Sequence, residues 1–421
     1  MKEITVKLND IVFDETLYPR KDHDPSVVQQ YAEQIEGIKA AKAFPIVSAD
    51  MRLLDGKHRW LAYRTVANGD NPDVSVYQET IDDEKKMLLR AIELNSTHGY
   101  QLTPEDKKQN AIRLYEQGYT ADTMAKILSV GKPSILEWTS GPRKSKQEKE
   151  NNIIEDMWQR CYTAQEIADT VGQSQQKIAS ITIKVFENYS GKTGEFGADF
   201  KPIIGNVWRK KSLTNEVSHF GNSEQSFVDN LIYKFTAPGE IVIDPFAGGG
   251  STLDVCRKRF RRCWIGDRKP IVAREHEIRE HDLVTDEPPD LKGRWGDVKL
   301  VFLDPPYWKQ AEGKYSDDKT DLANMELDSF HTELGKIVNM FARKATNAHI
   351  ALMIQPTQWR APNKEYTDHI CEVRDLVKKK PINRYSAPYE SQQLTPQMVN
   401  YEKENKTISL VLTREIIIWG P

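Results

Sequence analysis

The tetrapeptide Asp304-Pro305-Pro306-Tyr307 joins a carboxylate, two prolines and an aromatic ring. The apolar run Val301-Phe302-Leu303 before it reads as the end of a buried strand. Open α/β sheets collect their ligands at the C-terminal edges of such strands. Asp304 and the Pro305 carbonyl can accept the two N–H bonds of an exocyclic amine, and Tyr307 can stack on the ring of an extruded base. The prolines fix φ, so the acceptors are preorganised. A plain Pro-rich turn after a strand is the competing reading.

Sixty residues upstream, Ile241 to Thr252 read IVIDPFAGGGST. A second apolar strand ends at Asp244, a glycine turn follows, and a helix is expected over Thr252 to Phe260. Glycines 248, 249 and 250 permit a tight turn and a close approach to a ligand. Strand, glycine turn and helix N-terminus open a nucleotide-binding unit. No Lys-Ser/Thr pair follows the glycines, which disfavours a P-loop. Cys263 to Asp267 form a further strand ending in an acid about twenty residues on, the position that accepts from ribose hydroxyls in such units.

In their order, these segments resemble the S-adenosylmethionine-dependent amino-methyltransferases of DNA, which make N6-methyladenine or N4-methylcytosine; the resemblance covers roughly residues 200 to 421. It implies cofactor contacts at Asp244, Pro245, Phe246, Gly248, Gly250 and Thr252, with one extra small residue before the threonine. It places Asp267 at the ribose and makes Asp304, Pro305, Pro306 and Tyr307 catalytic. His219 to Gln225 looks like the segment covering the cofactor, with Phe220 and Ser223 as contacts, against a plain helix-capping loop. Asp282 is a candidate for the adenine amine by position. The cofactor loop preceding the catalytic loop implies an unpermuted arrangement. Cytosine C5 chemistry needs a thiolate nucleophile, usually in a Pro-Cys pair, and none of the four cysteines follows a proline.

The elements that carry these residues follow two others. Residues 1–100 open with a strand over Ile4 to Leu8, a helix over Pro25 to Gly37, and strands at Phe44 to Val47 and Arg52 to Leu54. Asp55 to Arg64 (DGKHRWLAYR) resembles ParB-like N-terminal domains, a fold shared with sulfiredoxin. That implies phosphate or nucleotide contacts at Gly56, Lys57, His58 and Arg59, against an ordinary capped helix. Lys57 stands where sulfiredoxins carry their cysteine, which excludes peroxiredoxin repair. The following Glu93 to Gly99 departs from the ParB pattern, placing His98-Gly99 near the expected arginine.

Residues 101–190 hold a 43-residue repeat: Tyr119-Thr120-Ala121 recurs as Tyr162-Thr163-Ala164, and Ser129 matches Gly172. Both copies carry a helix-turn-helix pattern. Recognition helices are expected at 131–139 and 174–186, with Lys132, Ser134, Gln173, Gln175, Gln176 and Lys177 facing DNA. Gly141 to Asn152 reads as a solvated connection, already helical after Lys146. The seven basic residues in Arg257 to Lys269 fit a cationic helix C-terminus better than a phosphate patch.

The expected fold class is thus α/β: a Rossmann-like methyltransferase with a mostly parallel sheet over 200–421. Before it come a small α+β ParB/sulfiredoxin-like domain (1–100) and an all-α helix-turn-helix region (101–190). The tail Thr407 to Trp419 reads as a closing β-hairpin, Tyr385 to Tyr401 as a substrate-facing loop, and Tyr315 to Leu327 as a mobile flap over the target base. The 38% hydrophobic and 29% charged content suits a globular enzyme, and a net charge of −3 decides nothing. No run nears the ~18 apolar residues of a membrane span, and the N-terminus has no signal-peptide core. A cytoplasmic place is expected. Sparse histidines and four scattered cysteines imply no metal. The expected partner is double-stranded DNA, with homodimerisation left open. Adenine N6 is the favoured target. N4-cytosine, a ParB-like regulator with a vestigial catalytic fold, and RNA or protein substrates are the rivals.

Overall fold

The computed structural model describes residues 1–20, 22–97, 102–192, 196–209, 225–309, 312–313, 316–358, 365–388 and 395–421. The chain divides into two compact units, Met1–Lys149 and Glu150–Pro421, which separate the two helix-turn-helix copies.

In the first unit, strands β1 (Lys2–Lys7), β2 (Ile46–Val47), β3 (Leu53–Asp55) and β4 (Asp73–Gln78) form a sheet of order β1-β4-β2-β3. The single helix expected over Pro25 to Gly37 is two, Pro25–Glu33 and Ile35–Ala40, broken at Gln34. Gly56, at φ +89, turns the chain from β3 into the helix Lys57–Ala67 as the sequence suggests. The first helix-turn-helix comprises Ala121–Leu128, capped by Thr120, and Lys132–Trp138. Its Met124, Leu128 and Ile135 share one core with Leu54, Met87 and Ile92, so the motif closes onto this small α+β unit.

The connection after it is helical from Ser140, as part of Ser140–Gln159, rather than from Lys146. Gly141 and Pro142 look like breakers, but proline is tolerated in a first turn, and the Lys, Glu and Gln residues that follow favour helix.

In the second unit, the second helix-turn-helix comprises Ala164–Val171, opened by a Thr163–Glu166 capping box, and Gln175–Ser190. The sheet is built from β5 (Ile241–Asp244), β6 (Arg262–Asp267), β7 (Arg279–Glu280), β8 (Val298–Leu303), β9 (His349–Ile354), β10 (Pro381–Pro388) and β11 (Thr413–Trp419). Its order is β10-β11-β9-β8-β5-β6-β7. Pairing is parallel from β9 to β7, while β11 runs antiparallel to both β9 and β10. The expected hairpin inside Thr407 to Trp419 is therefore corrected. Only Thr413–Trp419 is a strand, and its antiparallel partners are β9 and β10, the second half of β10 (Tyr385 to Pro388) falling in the stretch read as a polar loop. Thr407 to Leu412 carries strand-forming residues but forms no ladder among the described residues.

Alternate residues of the central strands enter different cores: Ile241, Ile243, Val301 and Leu303 face one, Val242, Leu300 and Phe302 the other. Helices Leu327–Lys344 and His369–Leu376 cover the first face; Gln225–Phe235 and Ser251–Lys258 cover the second. Burial on both faces is what makes the strands continuous apolar runs. No helix is long and apolar enough to cross a membrane among the described residues.

Candidate active site

The strand order reverses between β5 and β8, which pair directly, and the loops after β5, β6 and β8 leave the same edge of the sheet. A crevice outside this reversal is where doubly wound sheets hold ligands. The three sequence segments singled out above, separated by up to sixty residues, meet there.

Asp244 closes β5 and is buried. Its carboxylate accepts from the Phe246 N–H at 3.0 Å and from the Thr252 hydroxyl at 2.5 Å, tying both ends of the glycine loop together. Burial pushes its carboxyl up to about 7, against those two hydrogen bonds, and the charges of Asp304 and Asp267 push the same way. Asp267 ends β6 and accepts from Gly248 N–H at 2.8 Å and from Lys269 N–H at 2.9 Å. Asp282 accepts from the Val284 N–H at 3.0 Å and lies 3.4 Å from Arg268. Pro245 is buried and Phe246 half-buried. Gly248 and Gly250 have φ of +50 and +83, a region that side chains resist. Phe220 and Ser223 lie outside the described residues.

At the end of β8, Pro305 is buried while Asp304, Pro306 and Tyr307 are half-exposed. The Tyr307 hydroxyl donates to Asp304 Oδ1 at 2.9 Å, and the Arg414 guanidinium of β11 stands 5.4 Å from the Tyr307 ring centre. Trp308 is buried beneath, its indole N–H donating to the Met325 carbonyl at 2.9 Å. The described part of the expected flap, 316–327, is a hydrogen-bonded loop. Arg268 holds Asp318 at 2.8 Å, and Asn324 donates to the Ser316 and Asp318 carbonyls, both at 2.8 Å. Tyr315 lies outside the described residues.

Aspartates at 244, 267, 282 and 304 make a set of oxygen acceptors. That chemistry suits a ligand bearing hydroxyls and amino groups.

On the second recognition helix, Gln175, Gln176 and Lys177 are exposed; Gln173, in the turn before it, is half-buried and accepts from Lys177 at 3.0 Å. In the first copy Lys132 is exposed but paired with Asp122 at 2.9 Å, and Ser134 is half-buried. In the small α+β unit, Lys57 is buried with its ammonium 4.5 Å from the Phe13 ring centre, and His58 accepts from Asp24 N–H at 3.1 Å. Arg59 faces inward, to Asp55 at 2.8 Å and the carbonyls of Ala43 and Phe44. The basic stretch after the glycine loop is largely internal. Arg257 pairs with Asp156 and Glu277, each at 2.6 Å, Arg259 with Asp229 at 2.7 Å, and Arg262 is buried against Trp158.

Sequence reasoning missed the histidines. His331 and His369, thirty-eight residues apart, are hydrogen-bonded at 2.8 Å, and His369 reaches the Thr357 hydroxyl at 2.8 Å. Burial drives His369 down to about 3, so this ring is neutral at ordinary pH, and burial lowers His331 as well. No group that could hold a metal ion occurs among the described residues.

The DNA methylase family (N6_N4_Mtase) matches residues 105–271, a span that includes the glycine loop and Asp267 and ends before Asp304. No curated protein matches the chain. Among solved structures, the chain is similar to the C-terminally truncated chromosome-partitioning protein ParB from Caulobacter crescentus complexed with CTP-gamma-S. That likeness is at 13% identity over 33% of this chain and 77% of that one, with a TM-score of 0.20. The same protein complexed to the centromeric parS site matches at 11% identity over 43% and 99%, with a TM-score of 0.24. A Pnob8-like ParB-N domain matches at 15% identity over 46% and 75%, with a TM-score of 0.21. Residues 105–271, the glycine loop and Asp267 among them, thus carry the likeness to the N6/N4 DNA methylases.

Proposed function

We propose that the protein transfers a methyl group from S-adenosylmethionine to the exocyclic amine of a base flipped out of double-stranded DNA, adenine N6 before cytosine N4. The convergence of the loops after β5, β6 and β8 carries this reading, because it brings Asp304 and Asp267 close enough to Asp244 for their charges to act on it. When bound, the cofactor supplies an electrophilic methyl on a sulfonium. Asp244, Pro245, Phe246, Gly248, Gly250 and Thr252 cradle it, Asp267 accepts from its ribose, and Asp282 lies toward its adenine; Phe220 and Ser223 belong to the same proposed set.

Asp304 and the Pro305 carbonyl accept the two amine N–H bonds and localise the nitrogen lone pair, which the base otherwise delocalises into its ring. Pro306 holds the loop, and Tyr307 stacks on the base, replacing part of the stacking lost in extrusion. The helix-turn-helix copies read the duplex, through Lys132 and Ser134 in one and Gln173, Gln175, Gln176 and Lys177 in the other. Gly56, Lys57, His58 and Arg59 are the proposed contacts for a nucleotide or phosphate. We keep the functional parts as 1–100, 101–190 and 200–421, and a cytoplasmic setting follows from the substrate.

The test is incubation with genomic DNA and methyl-labelled S-adenosylmethionine, then digestion to nucleosides. Labelled N6-methyladenine is expected, and none with Asp304→Ala, which retains cofactor binding. Labelled N4-methylcytosine would change the base alone. Label absent from DNA despite cofactor binding would overturn the reading.

A further inference from the structure

The helix Ser251–Lys258 starts at Gly250, whose backbone is left-handed and buried. What lies against Gly250 is Arg274, on the short 3-10 turn Val272–Arg274 after β6: a side chain at 250 would place its Cβ 2.7 Å from Arg274 Nη1. Arg274 is itself buried, and its guanidinium is almost fully used. Nη1 donates to the carbonyls of Gly249 at 3.1 Å and Gly250 at 3.3 Å and to Asp254 at 3.0 Å. Nη2 donates to Asp254 at 2.8 Å and Nε to Glu277 at 2.6 Å. Two consecutive peptide planes of the glycine loop and the first turn of its helix are thereby fixed by one side chain from outside the loop. A planar fork with several donors holds such geometry, and a single ammonium cannot.

The ion pairs continue past Arg274. Glu277 also binds Arg257 at 2.6 Å, and Arg257 binds Asp156 at 2.6 Å. Asp156 in turn binds Arg160 at 2.6 Å. Asp156 lies on Ser140–Gln159, the helix that leads into the second helix-turn-helix. Arg257 thus joins the loop's own helix to that element, and Glu277 ties it to Arg274.

We propose that Arg274 is the positioning residue of the cofactor loop, and that Glu277, Arg257 and Asp156 hold it in place from the helix-turn-helix side. The proposal rests on the cofactor reading above. With both carbonyls turned to Arg274, the opposite face of the loop is set for the ligand before it arrives.

The test uses the full chain and calorimetric binding of S-adenosylhomocysteine, with melting temperature and affinity for DNA measured alongside. Arg274→Lys keeps charge but loses the fork. It should weaken binding about tenfold or more, raise the cofactor KM in step, and leave kcat at saturating cofactor and DNA affinity within about twofold. Asp156→Asn touches neither loop nor ligand and should weaken binding in the same direction by a smaller factor. Should Arg274→Lys destabilise the fold, Glu277→Gln gives the same readout, because it loosens Arg274 without removing it. Binding unchanged in folded Arg274→Lys would overturn the positioning role, and binding unchanged in Asp156→Asn would overturn its support from the helix. Wild-type protein that binds no S-adenosylhomocysteine would sink the cofactor reading and this proposal with it.

Discussion

Tyr307 has two separable roles to test: the base stacking proposed for its ring, and the hold of its hydroxyl on Asp304 at 2.9 Å. Tyr307→Phe keeps the first and removes the second. We expect kcat to fall about tenfold with the KM for DNA nearly unchanged, whereas Tyr307→Ala should damage both; equal effects of the two variants would assign everything to the ring. Asp244 makes a prediction in pH. Its folded carboxyl titrates at about 7 because of burial, against 3.8 for the free group. Between those values the folded chain holds a proton the unfolded chain has lost, so this residue's contribution to stability is complete below about pH 4 and is lost as pH rises through 7. The loss is on the order of 4 kcal/mol. Asp244→Asn can still accept from Phe246 N–H and bond Thr252, but it cannot ionise. Its stability relative to wild type should therefore climb from pH 4 to 7 and level off above 8 in chemical denaturation; a difference flat across pH would show that Asp244 does not titrate there. Residue chemistry of this sort was legible in the sequence, since Asp244, Asp267 and Asp304 each end an apolar strand. Arg274 and the His331–His369 pair were not, because only the tertiary fold brings them to their partners.

The helix-turn-helix copies were legible as elements because a 43-residue repeat preserved both the cap and the turn. The strands of the tail were misread for a converse reason: β-forming composition in Thr407 to Leu412 says nothing about whether a neighbouring edge is vacant. The edge of the sheet went instead to β10, whose exposed residues are Ile382, Asn383 and Arg384. Matched turns in the two copies give a test at this scale. Ser129 and Gly172 end the first helices and both adopt left-handed backbone, at φ +51 and +68. Glycine adopts that region freely, while other residues pay about 1 kcal/mol. Ser129→Gly should raise stability by about 0.5–1 kcal/mol, and Gly172→Ala should lower it by about 1 kcal/mol. Denaturant midpoints measure both, and opposite signs are required; a loss in both would mean that Ser129 makes contacts worth more than its strain.

For the whole molecule, the division at Lys149 and Glu150 falls within a continuous helix, yet that helix is not shared evenly. Ile154, Met157 and Trp158 at its C-terminal end join Ile167, Ile178 and Tyr189 in one buried cluster, so this end is committed to the second unit. The first unit has its own cores around Leu54, Met87 and Ile92, and around Val47, Leu53 and Trp60. Two units with separate cores need not unfold as one, and a single melting temperature would then have no simple meaning. Ligand linkage tells them apart. The glycine loop, Asp267 and Asp304 all belong to the second unit, so S-adenosylhomocysteine should stabilise that unit alone. At a hundredfold excess over its Kd, the gain is about 2.7 kcal/mol. For a unit of this size that corresponds to a shift of roughly 5–10 °C. Differential scanning calorimetry should therefore show two transitions, one moving with ligand while the other stays. The moving one should also be the one that Gly172→Ala lowers, and the fixed one that Ser129→Gly raises. One transition moving as a whole would mean that the two cores are coupled strongly enough to melt together, and the units would then be a division of geometry without a counterpart in stability.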